Sequence, residues 1–188
     1  SSSFFSCTTS NTWGGAIRVD WGQCVLYEVC GYNCYSTYSG GTSYGQFGQI
    51  DVTNAASNKN YVNYSSISRC MNQRSNSNNM VSLGYGEICC PSVNMSMNKC
   101  GYYSGILTHP NTDSSSVTSS LSYSSFVDNN CPGYTCIYFT RDDAKYEMKS
   151  CNFLRNTQSS GSYGIIFTIG DLNIKDSCIL ENTATNIF

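Results

Sequence analysis

Apolar and polar residues alternate along short stretches of the C-terminal part of the chain, and this alternation recurs. Leu172-Asn173-Ile174-Lys175-Asp176 places an apolar side chain at every second position, and Tyr146-Glu147-Met148-Lys149 does the same earlier in the chain. A period of two predicts half-buried β-strands. Short apolar runs around Ile137 and Ile165 predict strands that are buried more deeply. No stretch of helical periodicity lies between these strands.

Three positions of this pattern stay in step across three copies, with a period of about 27 residues, which is typical of a repeat protein. They are an anchor, an Asn three positions after it and an apolar residue five positions before it: Phe126, Phe153 and Ile179; Asn129, Asn156 and Asn182; Leu121, Met148 and Ile174. Several short strands per period predict that each copy is one coil of an all-β, right-handed parallel β-helix, a solenoid.

Coils of a β-helix lie about 4.8 Å apart, so equivalent residues of successive copies stack on one another. The anchors and the preceding apolar residues are therefore predicted to form buried columns. Each Asn is predicted at a corner, because its short side chain tolerates left-handed backbone angles and can bond to the amide of a neighbouring coil.

The cysteine spacings extend the coil count into the rest of the chain. The intervals from Cys7 to Cys34, from Cys34 to Cys70 and from Cys70 to Cys100 each correspond to one coil, and the second interval is the longest. These spacings predict about seven irregular, disulfide-rich coils in a single domain, 1–188. Residues 119–188 form regular coils, whereas 35–115 form irregular coils with long loops, one of them around 54–63. A different fold within 35–115 is the alternative.

The composition limits the possible partners. Charged residues make up 12% of the chain, well below the roughly 25% of an average soluble domain. A net charge of −2 and scattered Lys and Arg give no attraction to nucleic acid, so we expect no nucleic-acid partner. The chain lacks an apolar run of the length that a membrane span requires, so no span is expected.

Twelve cysteines and two glycosylation sequons, at Asn63 and Asn94, indicate a secreted chain with disulfides, located outside the cell or at its surface. Stacked cysteines on neighbouring coils would lie within disulfide range. Cys7–Cys34 and Cys151–Cys178 are the favoured pairs, although the sequence leaves the connectivity open. The chain reads as a mature product or as a piece of a longer protein.

A four-residue motif links the repeat to a known family. Phe126–Asn129 and Phe153–Asn156 both have the form F-x-x-N, Ile179–Asn182 is a degenerate copy, and Gly14-Gly15-Ala16-Ile17 stands near the start. This pair of motifs resembles the repeat signature of polymorphic outer-membrane-protein-type surface proteins, with related repeats in bacterial adhesins and protist surface proteins. The resemblance implies a parallel β-helix displayed outside the cell, with an adhesive or structural role and no catalytic residues. It is loose between 35 and 115, where Gly40-Gly41 lacks the following Ala.

Motifs for nucleophilic catalysis are weak. The stretch 41–45 matches G-x-S-x-G around Ser43, but a strand is predicted after it, whereas a nucleophile elbow needs a helix. His109 is the only histidine, and it precedes Pro110 in a segment that reads as a solvated loop. A dyad of His109 with Ser43 or Cys100 is the alternative.

Carbohydrate cleavage requires clustered carboxylates. Asp142-Asp143 is the only adjacent acidic pair, and with Arg141 and Lys145 beside it the pair reads as a solvated turn. Three carboxylates that converge on one exterior groove would instead favour an enzyme. Cys30–Cys34, Cys89–Cys90 and Cys131–Cys136 lack zinc-site spacings, so we expect no metal or cofactor.

These observations predict a non-enzymatic, extracellular structural or adhesive β-helix. The chain begins and ends abruptly, so the coil is expected to continue in a larger surface protein or to associate end to end with other copies. Glycans are possible partners. The alternative function is a carbohydrate-binding or carbohydrate-cleaving β-helix of the pectin-lyase type, in which exposed tyrosines contact sugars.

Overall fold

The computed structural model describes residues 1–10, 14–37, 45–71, 79–111, 113–159 and 163–187. Within these ranges the chain forms parallel β-strands and no helix. None of the described residues therefore belongs to a helix that could span a membrane.

Three parallel sheets form the walls of the molecule. Sheet 1 consists of β1 (Ser2–Phe5), β5 (Val29–Tyr32), β9 (Ser66–Ser68), β12 (Asn94–Ser96), β15 (Ser125–Val127), β18 (Asn152–Leu154) and β21 (Cys178–Leu180). Sheet 2 consists of β3 (Ile17–Asp20), β7 (Gly48–Asp51), β10 (Asn79–Gly84), β13 (Tyr103–His109), β16 (Ile137–Phe139) and β19 (Ile166–Thr168). Sheet 3 consists of β4 (Cys24–Tyr27), β8 (Lys59–Asn63), β11 (Glu87–Pro91), β14 (Asp113–Ser122), β17 (Ala144–Lys149) and β20 (Asp171–Lys175). A small fourth sheet joins β2 (Thr8–Thr9) to β6 (Tyr35–Ser36).

The chain visits the three sheets in rotation, and each strand pairs with its equivalents in the neighbouring coils. Sheets 2 and 3 each contain six strands and sheet 1 contains seven, so the fold is a parallel β-helix of about six turns. The predicted fold class is confirmed. The predicted count of about seven coils is met only in sheet 1, which has one strand more than sheets 2 and 3 in the described part of the chain.

The repeated side chains stack as predicted. Phe126 pairs with Phe153, and Phe153 pairs with Ile179. The two Phe rings lie 4.8 Å apart at an angle of 7°, a separation equal to the coil spacing. The second predicted column also forms, because Leu121 pairs with Met148 and Met148 pairs with Ile174. These columns line the inside of the coil.

The Phe column continues into the region where the motif is loose. Met95 and Ile67 occupy the anchor position of the preceding coils, and both are fully buried. Gly31 takes the next position, and a Cβ there would collide with the ring of Phe47. The ring of Phe47, which comes from the bend just before β7, therefore fills the space that a larger anchor side chain fills elsewhere. The described residues between 35 and 115 are β-helix and not a different fold.

The predicted asparagine corner forms a continuous hydrogen-bond ladder. Oδ1 of Asn156 accepts the amide of Asn129 at 3.0 Å, and Oδ1 of Asn182 accepts the amide of Asn156 at 2.8 Å. Each Nδ2 group also donates to a strand carbonyl, as Asn129 does to Met95 at 2.9 Å. The ladder satisfies backbone groups that are buried at the corner and cannot reach water.

One detail of the corner prediction is wrong: the asparagines do not adopt the left-handed conformation. The residue before each of them does, with φ of 55° at Asp128, 52° at Arg155 and 56° at Glu181. That residue turns the backbone, and the Asn side chain then points inward to bond the next coil. Because the turning side chain points outward, several residue types are tolerated there.

The ladder extends beyond the F-x-x-N copies. Asn98 continues it, since Oδ1 of Asn129 accepts the amide of Asn98 and Oδ1 of Asn98 accepts the amide of Cys70. Thiols then replace amides, because Sγ of Cys70 accepts the amide of Cys34 at 3.3 Å. Cys34 and Cys70 thus occupy the ladder position in the N-terminal half that asparagines occupy in the C-terminal half.

The irregular region differs in loop length and not in wall structure. The predicted loop around 54–63 is shorter than expected, because 59–63 is strand β8 and only 52–58 forms the connection.

The GGAI motif also has a degenerate copy in this region. The amides of Gly14, Gly15 and Ala16 donate to the carbonyls of Gly45, Gln46 and Phe47, respectively, on the next coil.

We expect Phe153→Ala to lower the free energy of unfolding by about 3–5 kcal/mol, because it removes a fully buried ring from between two neighbours in the column. Leu154→Ala is the matched control, since Leu154 is only partly buried and lies on the outer face of the same strand. Chemical denaturation of both variants measures the difference, and equal losses would contradict the stacked core.

We expect Asn129→Leu to destabilise the fold by about 1–3 kcal/mol for each backbone group that it leaves unpaired. The groups at risk are the amide of Asn98 and the carbonyl of Met95. Asn152→Leu is the control, because Asn152 is exposed on the outer face. A loss no larger than that of the control in thermal unfolding would argue against the ladder.

Candidate binding groove

An open groove of about 1100 Å³ runs along the outer face of sheet 2. It extends from Arg18, Asp20 and Trp21 on β3 and its following turn to Tyr138 and Thr140 at the end of β16. Five strands lie along this path, so the groove is about 19 Å long. Its floor consists of outward side chains that the strand register places in columns.

Two columns carry the polar groups of the groove. One column runs Arg18, Gln49, Ser82, Leu107 and Tyr138. The other lies at the carboxyl ends of the same strands and runs Asp20, Asp51, Gly84 and His109. Thr140 follows β16 at the next position of this second column and also lines the groove.

Two carboxylates of the second column lie on adjacent coils. Nε of Arg18 donates to Asp20 at 2.7 Å, and both side chains are about 41% exposed. Asp51 accepts a hydrogen bond from Nε2 of Gln49 at 2.6 Å. A Cβ at Gly84 would collide with Oδ1 of Asp51, so the absence of a side chain at Gly84 makes room for this carboxylate.

The environment of Asp51 disfavours its charged form. Burial raises the pKa of the Asp51 carboxyl, and the negative charge of Asp20 adds to the rise. The hydrogen bond from Gln49 and the positive charges of Arg18 and of a protonated His109 oppose the shift without cancelling it. Like charges placed directly opposite each other on neighbouring strands are destabilising, so the stacked pair of carboxylates costs stability.

His109 is not in a solvated loop, which corrects the prediction from the sequence. It is the last residue of β13 and is half-buried. Oγ1 of Thr140 donates its proton to the carbonyl of Thr108 at 3.0 Å, and it therefore accepts from Nδ1–H of His109 at 2.6 Å. Nε2 then accepts from Nη1 of Arg141 at 3.3 Å. Burial and the charge of Arg141 lower the pKa of His109, so the imidazole is neutral.

Aromatic side chains form two ladders at the opposite end of the groove. One ladder is Tyr102, Tyr134 and Tyr163, with ring centroids 4.7 and 4.8 Å apart. The other is Tyr103, Tyr138 and Phe167, with separations of 5.1 and 5.2 Å. These separations match the coil spacing, and the first two tyrosines of each ladder line the groove.

The phenol groups of Tyr103 and Tyr138 remain protonated. Burial raises the pKa of Tyr103, and the neighbouring Tyr138 and Tyr134 raise it further. The pKa of Tyr138 is raised for the same reasons. These hydroxyls therefore act as neutral donors and acceptors. Trp21 is the contrasting case, because its indole is 77% exposed and presents an open ring face to a ligand.

The two favoured cysteine pairs have different outcomes. Cys7 and Cys34 lie side by side, since the following residues Thr8 and Tyr35 are register partners. The expected stacking of Cys151 with Cys178 is wrong. Cys178 pairs with Asn152 on the outer face, whereas Cys151 is buried at the corner above Ser177. The local coil is one residue shorter than the spacing of the two cysteines, which moves Cys178 one position past Cys151. All twelve cysteines are free thiols in this structure, and disulfide formation stays a prediction.

The two sequons lie on different faces. Asn94 is exposed at the start of β12 and points outward, as glycosylation requires. Asn63 is half-buried at the end of β8. Its sequon hydroxyl belongs to the fold, because Oγ of Ser65 donates to the carbonyl of Asn63 at 2.8 Å and accepts the amide of Val29. Glycosylation at both sites stays a prediction.

The other candidates do not assemble into a site. Ser43 lies outside the described residues, as does Gly40-Gly41. Cys100 is fully buried, whereas His109 lines the outer groove. Asp142 and Asp143 lie in an exposed turn, as predicted, where Asp143 pairs with Arg141 at 3.4 Å. Among the described residues, no group of three or more His, Cys, Asp or Glu side chains could hold a metal ion.

Sequence reasoning missed Asp20, Asp51 and Trp21. A signal existed, because Asp20 and Asp51 have the same separation along the chain as Gly14 and Gly45. If Gly45 is aligned with Gly14 as its counterpart on the next coil, the sequence predicts that Asp20 and Asp51 stack. Gly84 and His109 come next in this column, the first at a longer interval and the second at a shorter one, so no fixed period connects them.

Comparison with protein-family models, curated proteins and solved structures finds no match to this chain. The function must therefore be inferred from the groove itself.

We expect Asp51→Asn to stabilise the folded state at neutral pH, because the neutral amide avoids the burial and repulsion that raise the pKa of Asp51. A raised pKa means that the folded state binds the proton more tightly than the unfolded chain. The gain should therefore be largest above the folded-state pKa and should vanish as the pH falls through it towards the unfolded value. Melting temperatures as a function of pH measure the gain.

Asp171→Asn is the matched control for this measurement. Asp171 is exposed at the start of β20 on the far sheet, and its replacement should leave stability nearly unchanged at every pH. A loss of stability in Asp51→Asn at neutral pH would contradict the inferred strain.

Proposed function

We propose that this chain is an extracellular adhesive β-helix that binds extended carbohydrate along the groove of sheet 2, without catalysis. The observation that carries the proposal is the groove, which pairs an exposed indole at one end with tyrosine hydroxyls at the other. Between them lie the amide and carboxylate groups of Gln49, Asp51 and Asn54. Sugars present paired hydroxyl donors and acceptors above weakly apolar ring faces, and this lining complements both.

The length and openness of the groove support an oligosaccharide over a single small molecule. Small-molecule sites are enclosed and mostly apolar, whereas this groove is open to solvent along about 19 Å. An adhesive protein needs such a surface, because a polymer must enter from the side. The exposed Asn94 sequon and the twelve cysteines support an extracellular location.

The carboxylates favour binding over cleavage. Asp20 and Asp51 are the carboxylates that line the groove within the described residues. Glycosidases use a pair of carboxyl groups that act as acid and as base or nucleophile, whereas Asp20 is held in an ion pair with Arg18 at 2.7 Å. The adhesive role and the carbohydrate-binding alternative thus become one proposal, in which the β-helix is the scaffold and the groove is its contact surface.

Assembly stays a further prediction of the same proposal. End-to-end association of copies, or continuation of the coil in a longer surface protein, would align grooves along one axis and multiply weak contacts with a polymer. Electron microscopy of the purified chain distinguishes filaments from monomers, and a uniform monomer would remove the end-to-end form of this prediction.

We expect the chain to be retarded in native gels that contain at least one of xylan, laminarin or chitosan. Trp21→Ala should weaken binding by about tenfold or more, because an exposed aromatic anchor typically contributes over about 1.4 kcal/mol. Tyr27→Ala is the control, because Tyr27 is 57% exposed but lies on sheet 3. Equal effects of the two substitutions, or no retardation in any gel, would contradict the proposal.

A further inference from the structure

The end of the groove around Asp51 contains an unneutralised negative charge. Arg18 pairs with Asp20 at 2.7 Å, so these two charges compensate each other. Asp51 has no ion-pair partner in the described part of the chain and accepts only the amide hydrogen bond from Gln49. The facing His109 is neutral, because Arg141 donates to its Nε2 atom. A partly buried carboxylate without a cation is costly, and a bound cation would remove that cost.

Gln49 supplies a second, independent indication of a missing ligand. The side chain lines the same part of the groove and is only 4% exposed. Its Nε2 group donates to Asp51, but its Oε1 atom has no hydrogen-bond partner. Buried amide oxygens are normally paired. Among the described residues, the carboxylate thus lacks a positively charged partner, and the amide oxygen lacks a donor.

Two aromatic residues flank this position. The amide of Trp21 donates to the carbonyl of Asp51, and the amide of Val52 donates to the carbonyl of Gly84, so Trp21, Val52 and Tyr85 stack in register. Trp21 and Tyr85 are therefore about 10 Å apart, one coil on either side of Val52. Both line the groove, and aromatic rings attract cations.

We infer that the Asp51 end of the groove is a subsite for a primary ammonium group, and that the preferred ligand is an amino-sugar oligomer with free amines. The inference rests on the proposed carbohydrate function. A primary ammonium carries three N–H donors, enough for the carboxylate and for the unpartnered amide of Gln49. A quaternary ammonium has the charge but no N–H donor. N-acetylation removes both the charge and two of the donors, so acetylated sugars are expected to bind more weakly.

Calorimetric titration with three matched oligomers tests the inference. They are the tetramer of glucosamine, the tetramer of N-acetylglucosamine and cellotetraose, measured at pH 6 and low salt. We expect the glucosamine tetramer to bind at least tenfold more tightly than the other two. Its advantage should shrink as salt is added, because the contact is a partly exposed ion pair.

Asp51→Asn provides the decisive variant. It should remove the preference for the glucosamine tetramer over the two neutral tetramers. Since this substitution is expected to stabilise the fold, a failure to fold would itself count against the strained carboxylate on which the inference rests. Asp171→Asn, on the opposite sheet, should preserve the preference.

The possible outcomes separate the two proposals. If the neutral tetramers bind as tightly as the amine, the carbohydrate function stands and the ammonium subsite is wrong. If a preference for the amine persists in Asp51→Asn, the subsite lies elsewhere and the inference is also wrong. If no tetramer binds at millimolar concentration, both proposals fail.

Discussion

Every column of this protein follows from one constraint: equivalent residues of successive coils must stack at the spacing of hydrogen-bonded parallel strands, about 4.8 Å. A side chain that packs well against an identical side chain can therefore recur in successive coils. Where it does not, a side chain from another part of the coil must fill the space. Phe126 and Phe153 stack face to face inside the coil. Gly31 cannot contribute to that column, and the ring of Phe47 fills the gap from another sheet. The core is a set of such columns and not a cluster around one centre.

Corners impose a second demand, because the chain must turn sharply while its backbone groups stay paired. A single left-handed residue turns the chain on each side of sheet 1, at Glu28 and Asn33 in one coil and at Ser150 and Arg155 in another. Each such non-glycine residue costs roughly 1–2 kcal/mol. At the corner after each of these sheet 1 strands, the inward Asn or Cys that follows offsets this cost by accepting or donating the amide hydrogen bond that joins it to the neighbouring coil. The ladder of Asn98, Asn129, Asn156 and Asn182 therefore determines where each coil ends.

The outer groove arises from the same stacking, but its columns are less favourable for stability. Tyrosines repeat along it at the coil spacing. Asp20 and Asp51, by contrast, place two like charges on adjacent coils, and burial raises the pKa of Asp51 further. Strained charges of this kind are more common at functional sites than elsewhere. The raised pKa of Asp51 and the unpartnered oxygen of Gln49 are the observations that support the inferred positively charged ligand.

The sequence by itself determined the β-helix, because Phe126, Phe153 and Ile179 recur at nearly constant spacing with their asparagines. Over 119–188 the regular period was sufficient to predict inward columns in the correct register. The period did not reveal the groove, and it did not show that Cys178 lies one position past Cys151. The reason is that the coils differ in length, since the coil after Cys34 is longer than the coil after Cys151. Loops between strands can lengthen without disturbing the walls, so separation along the chain does not reveal which outward side chains meet. Only the hydrogen-bonded register of the strands placed Asp20, Asp51 and His109 in one column.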